Sequence, residues 1–346
     1  MLVFVGFGDA SIASVRDVFV ALENLNKKRV MEERRGKIVS LLLVLWVCLF
    51  HISCAQKGKP ESETDWIIKK SLTDLVYVKG GTFMLGDVGY TDSLGVHRLF
   101  ANHGSALPAH KVTLDSYSIG KLEVTYKEFD LFCKLTGRDL VGEVQSRESG
   151  RYFRPELSAT HMTWDDAMAY CAWLGKLTGL SFNLATNAQW EYAARSRGLA
   201  VKYGTDNGLM EKGRNYKSDY YETPVDNPPP GSYPPNPLGL YDMSGIRPEW
   251  VRDGYAPYFK WDKENPINDF QHSIVTIRGF SLNVYSRGSR ANYRTGAGAG
   301  IRFVVNSPTP VDVESVLDSL GLSMPSSKDL EKYMPKNWVA PGKYPL

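Results

Sequence analysis

The segment 278–303, RGFSLNVYSRGSRANYRTGAGAGIRF, has the spacing of a motif but an unusual chemistry. It concentrates arginine, tyrosine and asparagine, and it holds no cysteine, histidine, aspartate or glutamate. It therefore lacks a thiol nucleophile, a carboxylate or imidazole base and an anionic metal ligand. Arginine binds carboxylates, phosphates and sulfates through its forked donors, and tyrosine and asparagine suit sugars and peptides. We predict a polar, cationic cleft that is lined by Ser281, Asn283, Tyr285, Arg287 and Arg290.

The arginines of this region also have a structural interpretation. For Arg278 and Arg302 we favour buried hydrogen bonds that hold a loop-rich fold together. For Arg287, Arg290 and Tyr285 the structural and the ligand-binding interpretations both stay open.

Other chemistries have weaker signals. The six histidines show no H-x-x-x-H or H-E-x-x-H spacing, although His97, His103 and His110 fall in one loop region. Ordinary surface histidines are favoured over a loose metal site there. The sequence has no Gly-rich phosphate loop and no G-x-S-x-G motif.

Composition predicts a loop-rich globular domain. The chain has 346 residues, 43% of them hydrophobic, with 19 Tyr, 8 Trp, 31 Gly and 19 Pro. Many aromatic side chains among many turn formers favour a fold that is held by large side chains more than by long regular elements. A formal net charge of +3 implies no basic surface for nucleic acid.

The N-terminal region carries the pattern of a lipoprotein signal peptide over residues 31–53. Basic residues precede an apolar run over 38–50, which is short for a membrane span, and Ile52-Ser53-Cys54 follows. We predict lipidation of Cys54 and a lipid-anchored protein of the bacterial cell envelope, with the outer membrane favoured over the inner. A single membrane anchor is the alternative. Met31 makes a natural start, so residues 1–30 are predicted to be a spurious or disordered extension.

The remaining chain is predicted as a tether over 54–74, a domain over 75–305 and a tail over 306–346 with a helical pattern at 313–322. Residues 75–86 are predicted as a hairpin, 87–110 as a long loop and 111–125 as a half-buried strand. Three helices are predicted from capping boxes, which are the pairs Thr125 and Glu128, Thr163 and Asp166, and Thr186 and Gln189. For Cys133 and Cys171 we favour buried thiols over a disulfide.

The order of six segments resembles the formylglycine-generating enzyme, or sulfatase-modifying factor, family. The segments lie between Leu75 and Val305, and chance agreement with any one alone would mean little. They are YVKGGTFMLG (77–86), LEVTYKEFDLF (122–132), TWDDAMAYCAWLGKLTG (163–179), LATNAQWEYAAR (184–195), PNPLGLYDMSGIRPEW (235–250) and RGFS with GIRF (278–281 and 300–303).

The resemblance implies a single compact α+β domain with an elaborated C-type-lectin-like fold. In active members, two cysteines after an Arg-Gly-Gly-Ser motif bind copper and oxidise a substrate cysteine. On this chain they fall at Asn283 and Gly288, and Phe280 replaces the second glycine of the motif. Soft Cu(I) needs thiolate ligands, so neither copper binding nor formylglycine generation is expected.

The resemblance also implies structural calcium. The family's calcium residues fall on Asn215 and Tyr216 at one site and on Glu249 at a second, where Ile246 replaces an expected asparagine. Calcium takes six to eight oxygen ligands, so this loss weakens the second site. The alternative is that Asn215 caps a turn and that Glu249 is buried against an arginine.

Three functions follow as hypotheses. The first is a non-catalytic binding or scaffold component of an envelope assembly, of the kind found in secretion or gliding motility, with a protein partner or a glycan or peptide ligand. The second is an enzyme, oxidoreductase-like or metal-dependent, with altered chemistry in the same cleft. The third is a lectin-like module that binds glycans. Fold alone does not decide among them.

Overall fold

The structure is a computed structural model of the chain. The residues that it describes are 19–28, 31, 61–101, 104–142, 147, 153–216, 228–245, 247–260, 262–268, 274–290, 298–326 and 329. The chain divides into two compact units, Met1–Glu61 and Ser62–Leu346.

In the first unit, residues 19–28 are helical, and Phe19 and Leu22 are exposed. None of the described helices is long and apolar enough to cross a membrane. The apolar run over 38–50 and the predicted lipidation site Cys54 lie outside the described residues.

The second unit combines short helices with short strands. The helices are α1 (Glu63–Thr73), α2 (Tyr126–Thr136), α3 (Trp164–Thr178), α4 (Asn187–Ala194) and α5 (Val313–Ser319), with a 3₁₀ turn at Gly104–Ala106. The strands are β1 (Leu75–Val78), β2 (Gly81–Leu85), β3 (Tyr90–Thr91), β4 (His97–Arg98), β5 (His110–Leu114), β6 (Tyr117–Gly120), β7 (Phe182–Leu184), β8 (Glu249–Gly254), β9 (Lys263–Glu264), β10 (Val275–Arg278), β11 (Gly288–Arg290) and β12 (Phe303–Asn306).

The strands form three open sheets and a small hairpin. A four-stranded antiparallel sheet has the order β1-β6-β12-β7, and a three-stranded antiparallel sheet has the order β11-β10-β8. The third sheet, β2-β5-β9, contains a parallel pair between β5 and β9, and β3 pairs with β4. Helices and mainly antiparallel sheets in one domain confirm the predicted α+β class.

The four-stranded sheet lies between two hydrophobic clusters. Phe303 and Val305 of β12 belong to the cluster that includes the faces of α1, α2 and α3, whereas Val304 belongs to the cluster around α4, β2 and β5. Successive side chains of a strand point to opposite faces, so one strand serves both cores. Likewise, Trp250 of β8 belongs to the first of these clusters and Val251 belongs to the second.

The three predicted capping boxes are confirmed. Thr125, Thr163 and Thr186 are the N-caps of α2, α3 and α4, and each hydroxyl accepts the backbone N–H three residues on while that residue's side chain accepts the N-cap N–H. Gly179 ends α3 in the left-handed conformation with φ 74°, as its position after the helical pattern predicted.

The predicted hairpin over 75–86 is wrong. β1 pairs with β6, and β2 pairs with β5, so the two strands enter different sheets. Gly80 lies between them, where a Cβ would stand 2.3 Å from the carbonyl oxygen of Leu114. Gly80 therefore permits a close crossing of the backbone, not a tight turn.

The domain is longer than predicted at both ends. The segment expected to be a tether contains α1, which starts from a capping box at Ser62 and buries Ile67 and Leu72 completely in the core. At the other end, α5 begins within the predicted tail and buries Leu317 in the same cluster. The expectation of a tether is therefore wrong from Ser62 onward.

Candidate functional site

Strand β10 and helix α4 form the base of the site through a buried ionic group. Glu191 of α4 accepts from Arg195 at 2.8 Å through one carboxylate oxygen and from Arg278 at 2.7 Å through the other. The Gly86 N–H also donates to this carboxylate, at 2.8 Å. All three charged side chains are at most 1% exposed. Arg278 also donates to Val284 O at 3.0 Å, which ties the following loop to the strand, so it has the structural role favoured from the sequence.

A second buried pair joins β8 to β12. Arg302 donates to both carboxylate oxygens of Glu249, with a shortest distance of 2.8 Å, and to the carbonyl oxygens of Gly120 and Lys121. Trp190 Nε1 donates to Glu249 Oε2 at 2.6 Å. Arg302 and Glu249 are both fully buried. The carboxylate of Glu249 is therefore already fully engaged by protein donors.

The loop after β10 is organised by Asn283. Its Oδ1 accepts the N–H of Tyr285 at 3.0 Å, and its Nδ2 donates to the carbonyl oxygen of Phe100 at 2.9 Å. Its own N–H donates to Ser281 Oγ at 3.3 Å. The carboxamide at the position predicted for a catalytic cysteine thus fixes a turn and joins two loops.

Tyr285 is buried and does not line an open cleft. Its ring stacks on Phe100 with centroids 5.3 Å apart, and the guanidinium of Arg195 lies 4.7 Å from its centroid. Its hydroxyl has no hydrogen-bond partner within the described part of the chain. Burial raises the pKa of this phenol well above its ordinary value.

Arg287 is also buried, and its donors are used within the protein. It donates to Ser105 O at 2.5 Å and 2.8 Å and to Ala256 O at 3.0 Å. Its guanidinium stacks 3.7 Å from the ring centroid of Tyr258. Burial lowers the pKa of Arg287, because desolvation disfavours the charged form. The prediction that Tyr285 and Arg287 line an open cleft is therefore wrong.

Gly288 starts β11, and its backbone pairs with Ile277. A Cβ at this position would stand 2.8 Å from Ile277 Cγ1 and 2.9 Å from Phe280 Cε1. Arg290 pairs with Val275 across the sheet through its backbone. The side chain of Arg290 lies outside the described residues.

A cavity of about 70 Å³ lies beside Arg287. Its lining includes His110, Asp253, Tyr258 and Thr276. Asp253 accepts from the N–H of Asn187 at 2.7 Å, and burial raises the pKa of its carboxyl to about 6. Burial lowers the pKa of His110. The hydroxyl of Thr276, which is fully buried, has no partner among the residues with described positions.

Sequence reasoning missed this cavity. Asp253 follows the buried residues Trp250 and Val251 within β8, and its position gives no signal of a cavity. In the sequence His110 is only one of three histidines in a loop region. In the structure His97 is exposed on β4, and His103 is outside the described residues. The described residues contain no group of three or more His, Cys, Asp or Glu side chains that could hold a metal ion.

The contacts around Asn215 do not fit a calcium site. Asn215 Oδ1 accepts the N–H of Glu211 at 2.9 Å, and its Nδ2 donates to Asp206 at 2.9 Å and to Leu209 O at 3.1 Å. Asp206 is bound through both oxygens by Arg214, at 2.7 Å and 3.0 Å. A cation would have to displace this guanidinium, so the carboxamide is better explained as the cap of a turn.

Tyr216 lies at the end of the same loop, where its carbonyl oxygen accepts the N–H of Gly213 at 2.8 Å. Glu249 is equally unsuited to calcium, since Arg302 and Trp190 already bind its carboxylate. The residues that the resemblance assigns to calcium therefore do not fit the ion.

The two thiols of the described domain lie on helices, outside the segment. Cys133 of α2 and Cys171 of α3 are free and buried in the helical cluster, whereas Tyr285 belongs to the other cluster. Burial raises the pKa of Cys133 to about 11 and raises that of Cys171 further. Both are protonated thiols at neutral pH, as favoured from the sequence.

Comparison with known proteins agrees with the fold and with the segment order. Residues 63–306 match the family described as sulfatase-modifying factor enzyme 1-like domain. The serine/threonine-protein kinase pkn1 of Chlamydia pneumoniae is 32% identical over 268 residues, which are 75% of this chain and 40% of that protein. The formylglycine-generating enzyme of Bos taurus is 26% identical over 234 residues, which are 53% of this chain and 59% of that protein. The chain thus spans less than two thirds of either relative.

Among solved structures, PvdO from Pseudomonas aeruginosa is similar with a TM-score of 0.52 and 24% sequence identity. The similarity covers 67% of this chain and 94% of that one. At this identity it supports the fold alone.

Proposed function

Because the chain belongs to the sulfatase-modifying factor enzyme family, we propose that it is a binding or scaffold protein that does not perform the family's oxidation chemistry. One observation carries the proposal. The segment that holds the cysteine pair in active relatives has no thiol here, and Asn283 and Arg287 bind the backbone carbonyls of Phe100 and Ser105. The side chains of Asn283 and Arg287 therefore stabilise the fold of this chain, where a catalytic site would present its side chains to a substrate.

The position of the remaining thiols supports the same proposal. Cu(I) is a soft ion that binds thiolate, and thiolate forms readily only where the thiol pKa is low. Cys133 and Cys171 are buried with raised pKa values, on helices α2 and α3 and outside the segment. Both thiols are therefore poorly suited to replace the missing pair.

The activities named for the relatives do not transfer directly. The kinase name belongs to a protein of which this chain spans 40%, and the sequence here has no Gly-rich phosphate loop. The formylglycine-generating activity named for the bovine relative depends, by the resemblance, on cysteines that this segment lacks. What the chain shares with them is the family's domain.

We place the protein in the bacterial cell envelope, held by a lipid on Cys54. The support is the basic, apolar and Cys-ending pattern of residues 31–54. The test is partition of the expressed protein into detergent phase and the mass of its N-terminal peptide, for the parent and for Cys54→Ser. Lipidation predicts a diacylglycerol-sized mass on Cys54 and loss of detergent partition in the variant. Equal partition of both proteins would contradict the lipid anchor.

A second candidate function is an enzyme with altered chemistry in the cavity beside Arg287. The observation that favours it is Asp253, a buried carboxyl whose pKa is raised to about 6 and which shares the cavity with His110. Titratable groups near neutral pH can act as acid or base. A volume of about 70 Å³ limits the reactants to water-sized molecules or a small group of a larger substrate.

The partner role is tested by crosslinking and gentle co-purification of the tagged protein from its own membrane, with metal analysis of the same sample. A scaffold predicts a protein partner at fixed stoichiometry and no transition metal. The control is a variant with Glu249→Gln, which is designed to disrupt the fold and should lose the partner. A monomer that carries a transition metal and turns over a substrate would favour the enzyme instead.

A further inference from the structure

A second cavity is separate from the segment discussed above. It has a volume of about 250 Å³ and lies where the turn between β5 and β6, the start of α4 and the end of β12 approach strand β8. Its charged lining residues are Arg252 of β8 and Asp115 of the turn. The cavity is thus built from four elements of the fold that come from distant parts of the sequence.

Arg252 differs from the other arginines of the core. Arg195, Arg278, Arg287 and Arg302 are buried and donate to named carboxylates or carbonyl oxygens. Arg252 is half-buried in the wall of the cavity, and its guanidinium has no hydrogen bond or ion pair within the described ranges. Five N–H donors in a rigid fork therefore stay available to a ligand.

The neighbouring polar groups add further donors. Asn306 uses its Oδ1 to accept from Gln189 Nε2 at 2.8 Å, so its own NH₂ group has no role in that contact. The hydroxyl of Thr186 accepts the N–H of Gln189 at 3.1 Å, which leaves its proton to donate. A wall with a free guanidinium, an amide NH₂ and a hydroxyl proton is suited to oxygen atoms that carry negative charge.

The remaining walls limit the size and character of the ligand. Leu114, Leu184 and Ile267 supply apolar surface, and Asp115 lies exposed at the rim with one oxygen bound to Asn265 Nδ2 at 2.9 Å. The volume is below the range of about 300–1,000 Å³ of sites for drug-sized ligands. An occupant the size of a monosaccharide or an amino acid fits these limits.

We propose that this cavity is a binding site for a small carboxylate ligand, with its carboxylate held by the fork of Arg252. The carboxylate can come from an acidic sugar, whose hydroxyls would meet Asn306 and Thr186, or from a free amino acid, whose ammonium would meet Asp115. Both ligands carry the carboxylate that Arg252 would bind. The site goes beyond the scaffold role, because it takes a small molecule at a different part of the domain.

The test uses the full-length chain in detergent micelles and two matched pairs of probes, glucuronate with glucose and alanine with alaninamide. Each pair differs in the carboxylate, and binding is measured by isothermal titration and by NMR of the ligand. The proposal predicts that one carboxylate probe binds at least about tenfold more tightly than its match without the carboxylate, the scale of a lost charge-assisted contact. The pair that responds identifies the source of the carboxylate.

Variants distinguish binding in the cavity from non-specific electrostatic attraction of the ligand to the protein. Arg252→Gln should weaken binding of the acid at least about tenfold, and Arg252→Lys should fall between it and the parent, because lysine keeps the charge without the fork. Lys176→Gln removes the same charge from the exposed face of α3 and should leave binding unchanged. Thermal unfolding should be similar for all three, since the Arg252 side chain has no hydrogen-bond or ion-pair partner among the described residues to lose.

Three results would overturn the proposal. They are equal binding within both pairs of probes, no detectable binding of either carboxylate probe, and unchanged affinity in Arg252→Gln. Failure here would leave the scaffold role intact, since that role concerns a protein partner and the absent thiols.

Discussion

Replacing Glu191 by glutamine should strongly destabilise the domain. The change keeps the size of the side chain and removes its charge. Arg195 and Arg278, both at most 1% exposed, then lose the carboxylate that they share. The new NH₂ group must also face one of the two guanidinium groups. Both groups are hydrogen-bond donors, so neither supplies an acceptor to the other.

The magnitude follows from burial. Removing one partner of a buried ion pair costs about 3–5 kcal/mol, because the other charge stays buried and uncompensated. Two arginines depend on Glu191, so we expect the upper part of this range. In a domain of this size, about 1 kcal/mol corresponds to about 2–4 °C in Tm, which predicts a loss of about 10–20 °C.

A surface pair provides the matched control. Lys134 lies 2.7 Å from Glu63, with side chains that are 64% and 57% exposed. Such pairs contribute about 0–1 kcal/mol, so Glu63→Gln should change the free energy of unfolding by no more than that. Urea unfolding followed by tryptophan fluorescence measures both variants. Equal small effects of Glu191→Gln and Glu63→Gln would refute the assignment of Glu191 as the centre of the buried group.

Three further predictions concern the site. Burial raises the pKa of Asp253 from 3.8 to about 6, so the folded state holds this proton more tightly than the unfolded state, and the carboxyl costs stability as the pH rises through this window. Urea unfolding should show the Asp253→Asn variant gaining about 2 kcal/mol on the parent between pH 4 and pH 7, and a pH-independent difference would contradict this. Gly288→Cys should cost about 1–3 kcal/mol by overpacking against Ile277, whereas an unchanged urea midpoint would show that the strand has room. Calcium should not raise Tm, because protein groups occupy the oxygens of Asn215 and Glu249, and a concentration-dependent rise would contradict that reading of the contacts.

The sequence predicted features that depend on local chemistry. The capping boxes at Thr125, Thr163 and Thr186 involve residues three positions apart, so their spacing alone identifies three helix starts. The structural roles of Arg278 and Arg302, as arginines that hold a loop-rich fold together, were also favoured. Their partners Glu191 and Glu249 could not be paired with them from the sequence.

Features that depend on distant contacts were not predictable. Gly80 allows a crossing against Leu114, and only the pairing of β1 with β6 distinguishes that crossing from a hairpin. Helix α1 has many polar residues, and Lys70 reads as solvent-exposed until Asp74 and Glu128 are placed beside it. The Ser62 capping box was the available signal for this helix.

The candidate site also depends on contacts between distant residues, which the sequence does not reveal. Asn283 and Tyr285 have residue types that suit a binding cleft, and only contacts with Phe100, far away in the chain, reveal that they are packed inward. Arg252 gave no signal at all, because a single arginine within a strand has no pattern. Its importance follows from the absence of a partner for its guanidinium within the described residues.

The central claim is that the chain keeps the family fold without the family's oxidation chemistry. The most direct measurement is incubation of the purified chain with Cu(I), oxygen and a cysteine-containing peptide, with mass spectrometry of the peptide and bovine formylglycine-generating enzyme as the active reference. Our account predicts no aldehyde above the level without protein and no copper retained after desalting. Formylglycine in the peptide, formed at a rate that scales with the concentration of this chain, would contradict it.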